Sequence, residues 1–265
     1  MEIVVLLAGV VDPKWRLERL ALRAGGEQPD ETGLPYRLSP FDEAALETAL
    51  KLRDADPAIR VTAVIPGDAA RDPLLRAVMA LRPHRVFRFD TAGAPLWDPH
   101  AATRLLAAAV DAAAAAGLVL MGREFGDGDD GVLPPLLATA RGWTFCGQAH
   151  ALALADGAIV AHRMRGPREE AIALATPALV SVTNDRSNRL RHPLMKNVVL
   201  TRREPIEIVT MPADAGPIAL HARSLAVVPP PQRGAGACRM LEGPLDTQIA
   251  EMATYLRDWR DGASR

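Results

Sequence analysis

Cysteine is nearly absent. The 265 residues hold two, Cys146 and Cys238, far apart and in no CxxC or metal-ligand spacing. That excludes a disulfide framework and a cysteine-built zinc site, and it fits a reducing compartment. Aromatics are scarce at 4%, too few for a platform that stacks bases along a strand. Neither sign of charge dominates: 31 Lys and Arg against 32 Asp and Glu leave a formal net charge of −1. Nucleic-acid binders and polybasic membrane binders need a basic excess, so neither is expected. The longest apolar stretch, Leu105–Leu120, is interrupted by Asp111 and falls short of the ~20 residues that span a bilayer. Met1-Glu2 leads directly into Ile3–Ala8 with no basic leader and no small-residue cleavage site. The expectation is a cytoplasmic protein without membrane insertion.

Several catalytic signatures are missing as well. After the first apolar run only Gly9 stands where GxGxxG would be, and neither GxxxxGK[ST] nor GxSxG occurs. A standard NAD fingerprint, a P-loop and a nucleophile elbow are therefore excluded. A calcium-loop pattern starts at Asp127 and Asp129 but meets Gly131 at its fifth position and Ala138 at its twelfth, where a bidentate Glu is required. The six histidines do not cluster at metal spacing, so no metal site is expected.

What is present is an alternation of strands and helices. Residues 3–8 form a continuous apolar run, as in a strand buried on both faces. Ser39-Pro40-Phe41-Asp42-Glu43 combines an N-cap, Pro at the first helical position and acids in the first turn, and predicts a helix over 41–54. Strands are expected at 60–65, 84–89 and 118–121, and helices at 72–81, 98–116 and 134–141. This βαβα order with short connections predicts a parallel, doubly wound sheet. After Gly142 the pattern becomes short runs at 150–154, 158–163 and 171–175 joined by Asp156-Gly157 and Gly166-Pro167, which predicts an antiparallel appendage. A buried strand is expected at 178–183. From residue 206 the chain has many prolines and few helix signals before a final amphipathic helix at 246–259. An irregular stretch of that length does not belong inside a compact domain. The expected division is a nucleotide-binding α/β domain over 1–205 and an arm over 206–265 that packs on a partner subunit.

Ligands of an open parallel sheet bind beyond the carboxyl ends of its strands. The richest such segment is Gly122-Arg123-Glu124-Phe125-Gly126-Asp127-Gly128-Asp129-Asp130-Gly131. Its glycines allow backbone N–H groups to converge on an anion ahead of a helix start; the other reading is a solvated acidic turn with good helix capping. A second constellation is basic: residues 184–197 carry Arg186, Arg189, Arg191, His192 and Lys196, followed by Arg202-Arg203. It reads either as a solvated face or as a docking loop with Leu194-Met195 as its apolar anchor.

Taken in order, these pieces resemble the β subunit of electron-transfer flavoproteins over residues 1–240. The Ser39–Glu43 segment is similar to that family's N-P-F-[DC]-E. The segment Gly122–Asp129 is similar to its G-K-x-x-x-D-G-D loop, and Gly142-Trp143 to the G-W after the next helix. Pro177-Ala178-Leu179-Val180, Asn188, Arg191, Pro193, Asn197 and Pro205-Ile206 follow its P-A-V-V … N-x-x-R-[YH]-P-x-x-x-N … P-I signature. The chain departs from the pattern at Val132-Leu133-Pro134, where the family has Q-[TV]-G, and at Ala8-Gly9, where it has Lys-Arg.

The resemblance implies a doubly wound, mainly parallel sheet of the adenine-nucleotide α-hydrolase-like type. It implies a heterodimer with an α subunit that carries FAD, and in the β subunit AMP, or a second FAD in bifurcating members. Nucleotide contacts carried over by position are Leu6, Ser39, Pro40, Phe41, Asp42, Pro66, Gly122, Arg123, Gly126, Asp127, Gly128, Asp129, Asp130, Gly131, Val132 and Leu133, with Phe41 near the flavin. The docking loop becomes Asn188, Arg191, His192, Pro193, Leu194, Met195, Lys196 and Asn197. The implied role is an electron carrier without catalytic residues, receiving electrons from a flavoprotein dehydrogenase and passing them towards a quinone reductase. Two alternatives share the fold class. An ATP pyrophosphatase-like enzyme needs a Ser-Gly-Gly-x-Asp-Ser loop where Ala8–Pro13 stands. A stress-type nucleotide module needs a G-x2-G-x9-G-[ST] loop after the fourth strand.

Overall fold

The structure is a computed structural model, and it describes residues 1–15, 22–23, 29–91, 93–94, 96–113, 116–155, 157–211 and 240–262. The prolines at 212, 217, 229, 230 and 231, together with Asp156 and Cys238, lie outside the described residues.

In chain order the elements are β1 (Glu2–Leu6), β2 (Val10–Val11), β3 (Tyr36–Arg37), α1 (Pro40–Ala55), β4 (Arg60–Pro66), α2 (Asp72–Met79), β5 (Arg85–Asp90), α3 (Pro99–Ala113), β6 (Leu118–Gly122) and α4 (Leu133–Arg141). There follow β7 (Thr144–Ala155), β8 (Ala158–Arg165), β9 (Arg168–Leu174), β10 (Ala178–Val182), α5 (Met195–Thr201), β11 (Glu207–Thr210) and α6 (Leu245–Gly262). Nine strands form one sheet in the order β11-β5-β4-β1-β6-β10-β7-β8-β9. Every neighbouring pair is parallel except β7–β8 and β8–β9. The architecture is the expected α/β fold with an antiparallel appendage. Strands β2 and β3 make a separate antiparallel pair in a segment the sequence presents as irregular.

The two-residue period of β1 sorts the core. Ile3, Val5 and Leu7 pack on one face with Leu46 and Leu50 of α1 and Leu75 of α2. Val4 and Leu6 pack on the other with Leu105 and Leu106 of α3 and Leu137 of α4. Helices thus cover both faces of the central strands, whose residues are almost all buried, and that is why those strands read as near-continuous apolar runs, interrupted inside only by Thr62 and Ser181. From β1 the chain builds outward through β4 and β5, then crosses to β6. The switch point therefore lies between β1 and β6, where open sheets bind ligands.

Three elements differ from the sequence expectation. Strand β7 begins at Thr144, not 150, and pairs in parallel with β10 before turning antiparallel to β8. A bulge around Gln148, which has φ of 60°, bends it between the two partners, and Gly147 hides that continuity in the sequence. The basic segment contains a helix, α5, held from below by Arg76, which donates to the carbonyls of Thr201 and Glu204. Strand β11 pairs with β5, so the sheet runs past the 205/206 boundary read from the sequence.

The chain divides into two compact units, Met1–Val227 and Val228–Arg265. In the second, α6 buries none of its residues. Leu245, Ile249, Met252, Leu256 and Trp259 are all exposed, and their alternating four- and three-residue spacing aligns them along one side of the helix. No helix among the described residues is long and apolar enough to cross a membrane.

Candidate functional site

The site is built at the carboxyl ends of β1 and β6, against the start of α1. Ser39 caps that helix: its Oγ accepts the Asp42 N–H at 3.0 Å, and Asp42 accepts the Ser39 N–H at 3.0 Å. This is a capping box with Asp in the third position. The Asp42 carboxylate also accepts the N–H groups of Ala8 and Gly9, both at 3.1 Å, so one side chain fastens the end of β1 to the start of α1. Asp42 is fully buried. Burial pushes its carboxyl upward, and the hydrogen bonds from Ser39, Ala8 and Gly9 oppose that push. Gly9 must be glycine: its φ is 65°, and a Cβ there would meet Leu74 Cδ2 at 2.4 Å.

The segment after β6 is shaped by two contacts. Gly122 packs against Phe41 so closely that a Cβ would lie 2.8 Å from the Phe41 Cβ. Arg123 lies over the Phe41 ring, 4.7 Å from its centroid, and pairs with Glu124. The loop then folds around Asp129, a buried carboxylate that accepts the N–H of Phe125 at 2.9 Å, Val132 at 2.8 Å and Leu133 at 3.1 Å. Of the two readings of this acidic loop, helix capping describes Asp129. It also takes up the first amides of α4. Val132 and Leu133 give their amides to Asp129, Pro134 and Pro135 have none, and Leu136 donates to the Val132 carbonyl.

Two cavities open over this floor. The wider, about 870 Å³, is lined by Phe41, Trp15, Pro13, Pro40, Glu124 and neighbouring backbone. The smaller, about 270 Å³, lies between the ends of β1 and β4 and the 125–128 loop, with Tyr36, Arg71 and Trp97 in its walls. Of the residues carried over as nucleotide contacts, Ser39, Pro40, Phe41, Gly126 and Asp127 reach the wider cavity, and Gly126, Asp127 and Gly128 the smaller. Leu6, Pro66, Gly122 and Leu133 are buried in the packing beneath, Asp42 and Asp129 are bound to backbone, and Asp130 and Val132 point to solvent. Arg123 lies over Phe41, and Gly131 takes the turn at φ 87°. Sequence reading missed Trp15, Arg71, Tyr36 and Trp97. With only eleven aromatics in the chain, each one beside a strand end was a usable signal.

The docking segment divides in two. Asn188 is buried, donating from Nδ2 to the carbonyls of His150 and Thr183 and accepting the Asp185 N–H. Arg191 reaches inward to the buried carboxylate of Glu47 and to Asp54. These two anchor the segment, while His192, Pro193, Leu194, Met195 and Lys196 are exposed and Asn197 is half-buried. Met195 is 75% and Leu194 60% exposed. In the appendage, Glu169 sits between His150 and His162, but no group of three or more His, Cys, Asp or Glu among the described residues could hold a metal ion.

The comparisons agree with this geometry. The sequence model of the electron transfer flavoprotein domain matches residues 29–214. The chain is 25% identical over 216 residues to an electron transfer flavoprotein subunit beta of Bradyrhizobium diazoefficiens, covering 82% of this chain and 84% of that one. It is 29% identical over 222 residues to the mitochondrial subunit beta of Oryza sativa subsp. indica (79% and 85% covered). It is 24% identical over 224 residues to subunit CarD of the caffeyl-CoA reductase-Etf complex of Acetobacterium woodii (82% and 84% covered). With the family's domain spanning most of the chain on the expected α/β sheet, this chain belongs to the electron-transfer flavoprotein β-subunit family and is an electron-transfer protein rather than a catalytic enzyme.

Proposed function

We propose that this chain is one half of a heterodimer: it pairs with an electron-transfer flavoprotein α subunit, shares or abuts that subunit's FAD, and relays electrons from a flavoprotein dehydrogenase towards a quinone reductase. The observation that carries this reading is the wide cavity at the switch point. It is open to one side and faced by two aromatic rings, Phe41 and Trp15, as suits a flat ring system completed by a partner. When bound, FAD supplies the electron chemistry. The protein's share is orientation and electrostatics. Phe41 presents its ring, Gly122 lets the loop approach it, and the Arg123 cation stacked on that ring favours negative charge on a neighbouring group.

AMP does not fit equally well. A phosphate at the start of α4 needs free amides, and every amide of that first turn is taken or is proline. The remaining parts of the reading rest on surface chemistry. The exposed Leu194-Met195 at the start of α5 is the proposed docking tip for a dehydrogenase, since Met adapts to varied apolar pockets. The C-terminal arm, with the exposed apolar side of α6, is proposed to pack on the α subunit. A cytoplasmic location completes the reading, supported by the scarcity of cysteine. The test is co-expression with an electron-transfer flavoprotein α subunit. The expected product is a yellow heterodimer with bound FAD; a colourless, unassociated chain overturns the reading.

A further inference from the structure

We propose that the smaller cavity is closed to adenine nucleotides from within: Arg71 stacked on Tyr36 takes the place of a base, and the acids that line the cavity repel a phosphate. The inference concerns the cavity beside the flavin face and stands on its own contacts. The Arg71 guanidinium lies 3.5 Å from the Tyr36 ring centroid, which is stacking distance for two planar groups. Its Nη1 donates to the Gly9 carbonyl at 3.3 Å, and the Tyr36 hydroxyl donates to Glu31 at 2.5 Å. A planar cation on an aromatic ring, tied at its edge to the end of β1, fills one wall of the cavity. What remains is about 270 Å³, below the roughly 300–1,000 Å³ of ligand pockets.

Charge closes the cavity a second time. Glu31, Asp68 and Asp127 face it against Arg71 and Arg23. Partial burial and the Glu31 carboxylate push the Asp127 carboxyl up, while Arg71 pulls it back. Arg71 is the counter-charge that keeps these acids tolerable, and a phosphate dianion would compete with them for it. Outside this cavity, Asp129 presents two carboxylate oxygens to the amides of Phe125, Val132 and Leu133, and Pro134 and Pro135 remove the next two donors at the start of α4. Trp97 Nε1 is buried without an acceptor. One neutral N–H satisfies a water or a single ligand atom and cannot hold a dianion.

The test uses the full chain, purified alone and with its α subunit. Nucleotide released on denaturation is analysed by mass spectrometry, and melting is followed with and without millimolar AMP. The expected result is no AMP released and no shift in melting temperature. A bound nucleotide at 100 times its Kd would raise the midpoint by about 5–10 °C. Stoichiometric AMP, or a shift of that size, overturns the inference. A second arm removes the stand-in: Arg71→Gly is expected to melt lower and to regain part of the loss in millimolar methylguanidinium, which leaves the unaltered chain unmoved. Arg71→Gly melting like the unaltered chain overturns the inference; should that variant not fold, Arg71→Lys, which keeps the charge and loses the stack, is expected to melt lower and decides in its place. FAD content separates the two readings. A heterodimer with FAD and AMP refutes this inference alone, whereas absence of FAD refutes the proposed function.

Discussion

Arg191 offers the sharpest perturbation, because its partner cannot escape. Glu47 lies on the inner face of α1 and is 4% exposed. Arg191 meets it with Nε at 3.2 and 3.0 Å and Nη2 at 2.9 Å, while its backbone N–H donates at 3.1 Å. A further leg runs to Asp54 at 2.5 Å. The Glu47 hydrogen bonds hold the guanidinium pKa above its ordinary value, and hydrogen bonds from Arg53 and Arg191 hold Asp54 below its own against the desolvation of partial burial. Replacing Arg191 by Met removes the charge and leaves Glu47 buried. Breaking such a pair from one side costs about 3–5 kcal/mol. The surviving backbone N–H keeps one bond to Glu47, which places the cost at the lower end, about 3 kcal/mol. The Asp54 leg is half-exposed and adds at most about 1 kcal/mol. In a chain of this size that corresponds to a fall of about 6–12 °C in melting temperature. Urea unfolding measures it, provided the m-value is unchanged. The double variant Glu47→Gln/Arg191→Met no longer buries a lone charge and is expected to be more stable than Arg191→Met. A single-variant cost below about 1 kcal/mol, or a double variant no better than the single, refutes the claim that Arg191 is an anchor.

Three further outcomes follow from the same contacts. Asp42→Ala removes the reciprocal half of the α1 capping box and strands the amides of Ser39, Ala8 and Gly9; the expected loss is about 3 kcal/mol by chemical denaturation, and an undiminished midpoint contradicts the fastening role. Leu194→Ala with Met195→Ala, both exposed, is expected to change stability by less than about 0.5 kcal/mol while weakening electron transfer from the dehydrogenase; equal rates would remove these residues from the docking surface. Burial and the bond to Glu31 raise the Tyr36 pKa to about 12, above the ordinary value of about 10. A raised pKa means the protonated form is favoured by folding, so this stabilisation is complete below about pH 10 and is lost as pH rises through the folded value. The chain has two tyrosines, so in a Tyr255→Phe background phenolate absorbance is expected to rise near pH 12 when folded and near pH 10 in urea.

The fold was largely legible because its central strands obey a single physical rule. Strands buried on both faces are overwhelmingly apolar, and Ile3–Leu6, Val61–Ile65, Leu118–Met121 and Ala178–Val182 hold only Thr62 and Ser181 as polar residues. The Ser39-Pro40-Phe41-Asp42 helix start was equally plain, since capping is a local interaction written in adjacent residues. What local pattern could not show is where a side chain of the right chemistry spends its hydrogen bonds. Asp42 and Asp129 read as acids beside a ligand, and both are turned inward onto backbone amides. Asn188 and Arg191 read as part of a docking loop, and each has a partner far away in sequence, His150 on β7 and Glu47 on α1. A polar residue whose partner is distant looks exposed in one dimension. The cavity residues that sequence reading missed, Trp15, Tyr36, Arg71 and Trp97, sit in segments without a sustained helical or strand period, where the topology brings them to the cavities. The same logic accounts for Leu194 and Met195. They were singled out because nothing local explained two large apolar residues among charges, and in the folded chain they remain exposed. That these large apolar residues lack a partner both in sequence and in the fold is the reason they are proposed to meet another protein.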